Sequence, residues 1–165
     1  MKLSSVAMGA AVALVSMLGA EDAFAAGATK ALSRQCGSAT MTIRCAAGSA
    51  DCSQTTLSIR TADGKVRTLD KPKGMGPYTP VGMACASAAH KAYFVVQYGE
   101  RPMGCAFCEW YHLYTVEGKV LTHSDPPVLT DSTLPPAQQQ YPNNKEYNET
   151  AKRLDLEEQD IEFLR

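Results

Sequence analysis

Thr61-Ala-Asp-Gly-Lys-Val-Arg-Thr68 and Thr115-Val-Glu-Gly-Lys-Val-Leu-Thr122 are two copies of one pattern, T-x-[DE]-G-K-V-x-T, set 54 residues apart. In each copy an acidic residue precedes a glycine, Asp63-Gly64 and Glu117-Gly118. Glycine takes positive φ at no steric cost, which is what a tight hairpin turn requires. Alternating residues flank both turns, as strands with one face in a core should. Ahead of the first copy, Thr40-Met-Thr-Ile-Arg-Cys45 alternates apolar and polar residues. Ahead of the second, Ala92-Tyr-Phe-Val-Val-Gln-Tyr98 is rich in β-formers. Each half thus reads as a strand, a cysteine-containing connection and a hairpin. The expected fold is mainly β (α+β): two antiparallel three-stranded meander units packed together, face to face or edge to edge, with a C-terminal helical tail.

The segments outside these units punctuate the chain. Asp70 to Ala84 holds Pro72, Gly74, Gly76, Pro77, Pro80 and Gly82 and reads as a long loop. Ser124 to Pro142 carries five prolines and reads as an extended arm (124–142), either a strap across the domain or a peptide-recognition motif. Helices are expected near 144–153 and 156–164. Asn143 stands three residues before Glu146 in a capping pattern, and Tyr147, Ala151 and Leu154 follow at helical spacing. Asp155 and Glu158 repeat the capping pattern ahead of Ile161 and Leu164. The division is therefore 26–142 for the β domain with its arm and 143–165 for helices packing on the same domain.

Residues 1–25 read as a signal peptide. Lys2 is followed by an uncharged apolar stretch from Val6 to Leu18, and Ala23-Phe-Ala25 supplies small residues for cleavage. The apolar run is shorter than the roughly 20 residues a membrane span needs, and no second run is long enough. Removing Lys2, Glu21 and Asp22 with that segment leaves 15 basic and 15 acidic residues. A near-neutral chain lacks the basic excess that neutralises phosphates, so nucleic acid is not an expected partner.

Six cysteines, Cys36, Cys45, Cys52, Cys85, Cys105 and Cys108, follow the leader. An even number in an exported chain reads as disulfides, because the compartment is oxidising. Six cysteines allow about 15 pairings, among which sequence alone does not choose; proximity suggests Cys45 with Cys52 and Cys105 with Cys108, which would leave Cys36 for Cys85.

Cys105-Ala-Phe-Cys108 is also a C-x-x-C, the motif of thiol–disulfide oxidoreductases, where a following helix stabilises the reactive thiolate. Here Glu109-Trp-Tyr-His-Leu-Tyr-Thr-Val116 follows, a strand-like run that supplies no such field. A structural disulfide is the competing reading. Zinc on Cys105, Cys108 and His112 would need His90 or His123 as a fourth ligand. No G-x-S-x-G, H-E-x-x-H, P-loop or G-x-G-x-x-G occurs, and no cofactor is expected. Carboxylates of the tail alternate with lysine and arginine, as on a solvated helix face. Alternation puts Trp110, His112 and Tyr114 on one face of their strand. Exposed, that face is a binding surface, since tryptophan and tyrosine anchor interfaces; buried, it is core.

These readings converge on an exported, non-enzymatic binding protein, periplasmic or secreted, with a protein partner in the cell envelope. An inhibitor or immunity protein is one concrete form. A thiol–disulfide oxidoreductase using Cys105 and Cys108 is the alternative.

Overall fold

Both glycine turns close alike in the computed structural model, which describes residues 30–49, 51–101, 109–157 and 160–165. Gly64 has φ 80° and Gly118 φ 77°. Thr61 N–H donates to the Lys65 carbonyl at 3.0 Å, and Thr115 N–H to that of Lys119 at 2.9 Å. Gly64 and Gly118 each donate back to the carbonyl of the threonine three residues earlier.

Strands β1 (Ala31–Cys36), β2 (Ala39–Cys45), β3 (Thr55–Arg60) and β4 (Val66–Leu69) form one antiparallel sheet in that order. Strands β5 (Thr79–Ala88), β6 (Lys91–Gly99) and β7 (Trp110–Thr115) form a second, and β10 (Glu162–Phe163) pairs along the outer side of β5. A ribbon of β8 (Val128–Thr130) and β9 (Gln140–Pro142) lies in the proline arm, and the helix α1 (Lys145–Leu154) follows.

The first sheet has one strand more than the three expected, β1 ahead of Thr40. In the second, the strand expected after Gly118 is reduced to a single bridge between Tyr114 and Val120, and β5 and β10 stand in the sheet instead. Two further differences have structural causes. Residues 79–84 belong to β5 rather than to a loop. Pro80 stands where the register with β6 shifts between Pro80 and Gly82, a place where a missing N–H costs no regular rung. Gly82 lies directly beneath the tail: a Cβ there would meet the Ile161 Cγ2 at 2.6 Å. The expected second helix is absent among the described residues 160–165, because Glu162 and Phe163 pair with Met83 and Gly82. Asp155, at φ 54°, ends α1 by donating its N–H to the carbonyls of Ala151 and Lys152.

Alternation in the strands builds the layers. Met41, Ile43, Leu57 and Ile59 of the first sheet meet Met83, Phe94, Val96, Tyr98, Trp110 and Tyr114 of the second in one buried cluster. Each such side chain stabilises the fold by about 1.5–3 kcal/mol on burial. The opposite face of the second sheet, with Ala84, Ala86, Tyr93, Val95 and Leu113, is covered by Tyr147 and Leu154 of α1 and by Leu156 and Ile161. The order of layers is sheet, sheet, helix.

Cys36 is bonded to Cys85 and Cys45 to Cys52, as the spacing suggested. The Cys105–Cys108 pairing and the signal peptide of residues 1–25 lie outside the described residues. The arm packs as a strap. The Trp110 indole N–H donates to the Pro127 carbonyl at 2.8 Å, and Lys73 of the inter-sheet loop pairs with Asp125 at 2.7 Å. Among the described residues no helix is long and apolar enough to cross a membrane.

Candidate functional site

β7 turns Trp110, His112 and Tyr114 inward, and their exposures are 0%, 0% and 2%. The indole of Trp110 lies 3.9 Å from the ring of Tyr78 between centroids. The Tyr114 hydroxyl is 2.7 Å from that of Tyr98. His112 Nδ1 is 3.0 Å from the Thr122 carbonyl, so the ring carries its proton on Nδ1 and donates it there. Its Nε2 is buried with no hydrogen-bond partner among the described residues. Burial pulls the His112 pKa down, lifts Tyr98 well above its ordinary value and pushes Tyr114 up to about 12.

The three residues expected as a binding surface are thus one cluster, but an internal one. The reason is that the second sheet is covered on both faces. Tyr111, on the other side of β7, is also half-buried and packs against Tyr147 of α1 at 5.4 Å. A strand with two covered faces carries large side chains on both, and alternation alone does not say which way either points.

The metal reading finds no support among the described residues, where no three potential ligands cluster. His112 is held by Thr122, His123 sits 3.1 Å from Glu146, and His90 occupies the turn between β5 and β6. Cys105 and Cys108, which that reading and the thiol–disulfide reading both need, lie outside the described residues.

The uncovered surface is the outer face of the first sheet. Its register stacks side chains in rows across the strands. Ser33, Thr42, Ser58 and Thr68 form one row through all four. Gln35, Thr40, Arg60 and Val66 form the next, and Ala31, Arg44 and Thr56 a third. The Ser33 and Thr42 hydroxyls are 2.9 Å apart, and Ser58 donates to the Thr42 carbonyl. None of these positions holds a carboxylate, and neither Arg44 nor Arg60 has an ion pair among the described residues. Neighbouring strands lie about 4.8 Å apart and a residue rises about 3.4 Å, so the arginines stand about 13 Å apart along the strands.

A sequence signal for this face exists. Thr40-Met-Thr-Ile-Arg44 and Thr56-Leu-Ser-Ile-Arg60 repeat T-x-[ST]-I-R on adjacent antiparallel strands. Each arginine therefore faces the leading threonine of the other copy, Arg44 opposite Thr56 and Arg60 opposite Thr40. The result is a locally two-fold surface of hydroxyls with a cation at either end. Comparison with protein-family models, with curated proteins and with solved structures returns no match for this chain.

Proposed function

We propose that this chain is an exported, non-enzymatic binding protein that engages a protein partner of the cell envelope through the outer face of its first sheet. The observation that carries the reading is the paired T-x-[ST]-I-R face, which holds no carboxylate and whose two arginines have no ion pair and no covering helix among the described residues. In a chain of balanced charge such a patch complements an acidic protein surface and steers its approach. The two disulfides fit an oxidising compartment and hold the face rigid, which lowers the ordering cost of association. An inhibitor or immunity protein acting on an envelope enzyme is the form this takes.

The test is capture from native envelope extract by tagged residues 26–165, eluted without reductant. A stoichiometric, non-covalent partner is expected. Replacing both arginines, Arg44→Glu with Arg60→Glu, should weaken it on the order of tenfold, with a steeper loss at high salt in the wild type. Failure to recover any partner, or recovery only as mixed disulfides through Cys105 or Cys108, overturns the reading. The second outcome transfers the function to thiol–disulfide exchange.

A further inference from the structure

β10 is two residues long, yet the segment 160–165 around it straddles the outer edge of β5. Ile161 joins the apolar cluster on the helix side of the second sheet, while Leu164 is buried in the cluster between the two sheets. The Leu164 N–H donates to the Val81 carbonyl at 3.0 Å, and the Leu164 carbonyl accepts from the Arg101 guanidinium at 2.8 Å. Glu162 reaches across to Arg34 of the first sheet at 3.4 Å.

Two observations mark this edge as made to receive a strand. The first is Gly82. It stands inside β5 and is not among the glycines with positive φ, so no turn requires it. Close approach requires it: a Cβ would lie 2.6 Å from Ile161 Cγ2, 2.9 Å from Phe163 Cδ1 and 3.0 Å from the Glu162 carbonyl. Glycine weakens a strand interior and marks places where another backbone comes near. The second observation is how lightly the tail is held. β6 is nine residues long beside β5, and β10 only two. The side chains of the Arg34–Glu162 pair are 44% and 55% exposed, and pairs so exposed hold little. Leu164 is the buried anchor, and segments with few rungs and few buried contacts open first.

We propose that the outer edge of β5 is a strand-accepting groove, that residues 160–165 are its resident occupant, and that a protein partner enters by supplying an extended segment in their place. The segment that fits is read from the tail: an aliphatic residue, any residue, an aromatic over Gly82, then leucine in the slot between the sheets. Main-chain hydrogen bonds to β5 supply affinity, and the leucine slot and Gly82 supply selectivity, as in strand addition generally. The tethered tail competes at an effective concentration on the order of millimolar, so it also guards the edge against indiscriminate pairing. This edge shares no residue with the arginine face of the first sheet, and the two readings fail separately.

Fluorescence anisotropy of a labelled peptide with the sequence of residues 160–165, Asp-Ile-Glu-Phe-Leu-Arg, tests this against the purified, disulfide-intact full chain. Leu164→Ser and Glu162→Arg each loosen the resident tail. The peptide should bind Leu164→Ser saturably and at least tenfold more tightly than the wild type, with Glu162→Arg between them. Adding Gly82→Ala to Leu164→Ser should weaken the peptide at least tenfold, and a peptide with serine in place of its leucine should not bind. Glu162 is exposed, so Glu162→Arg decides the matter where Leu164→Ser does not fold, which Trp110 fluorescence reports. The proposal is overturned if neither folded variant binds the peptide, if wild type and variants bind it alike, or if Gly82→Ala changes nothing.

Discussion

Cys36, the last residue of β1, is bonded to Cys85 in β5 with 5.3 Å between their Cα atoms, so one covalent link ties the first sheet to the second. Cys45 and Cys52 close only the connection between β2 and β3 within one sheet. The sequence separations are 49 and 7. On the chain-entropy account, the longer loop constrains the unfolded chain by about 4 kcal/mol and the shorter by about 2 kcal/mol. The pair of changes Cys36→Ala and Cys85→Ala should therefore lower stability about twice as much as Cys45→Ala with Cys52→Ala. Urea unfolding under non-reducing conditions measures both, and a larger loss from the short loop would contradict the entropic assignment.

Gly64 and Gly118 occupy the same turn in the two halves but different surroundings. A Cβ at Gly64 would meet nothing within 4 Å, whereas at Gly118 it would lie 3.0 Å from Ile59, Leu69 and Arg67. Alanine at either position bears the left-handed backbone penalty of about 1–2 kcal/mol. Only Gly118→Ala adds a clash with the opposite sheet. Thermal unfolding should show Gly118→Ala the more destabilising by at least 1 kcal/mol, and equal shifts would mean that the second hairpin does not pack where the structure puts it.

His112 makes the protein sensitive to mild acid. Its folded pKa lies below the unfolded value of 6.5 because burial disfavours the charged ring. The unfolded chain thus binds a proton before the folded one does. The contribution of neutral His112 is complete above pH 6.5 and is lost as pH falls through 6.5 towards the depressed folded value, with a slope of up to about 1.4 kcal/mol per pH unit. Protonation would also put a proton on the buried Nε2, a donor with no acceptor among the described residues. Denaturant titrations of the wild type and of His112→Phe at several pH values between 4 and 7.5 should show this component only in the wild type. Parallel curves for the two proteins would assign the acid sensitivity elsewhere.

Much of the architecture is written locally. The Asp63-Gly64 and Glu117-Gly118 turns were legible because hairpin geometry depends on a few adjacent residues. Proximity pointed to Cys45–Cys52, whereas Cys36–Cys85 was one of several pairings left open until the two sheets were seen to meet. α1 was legible from the 3.6-residue period of Tyr147, Ala151 and Leu154, although the expected capping box did not form. Glu146 reaches the His123 N–H instead, and Asn144 spends its side chain on the backbone of Glu109 and Tyr111.

What the sequence determined by itself was therefore the two glycine turns with the strands leading into them, the Cys45–Cys52 bridge and the first helix. Each depends on neighbours within one turn or one loop. Only the tertiary structure decided that residues 79–84 join a strand, that Glu162 and Phe163 pair rather than coil, and that Trp110, His112 and Tyr114 face inward. In each case the deciding partner is distant in the chain. Gly82 is covered by a tail some 80 residues away, and β7 is enclosed by the first sheet on one side and α1 on the other. Which face stays exposed was settled the same way: α1 packs on the second sheet, so the first sheet keeps its threonines and arginines in water.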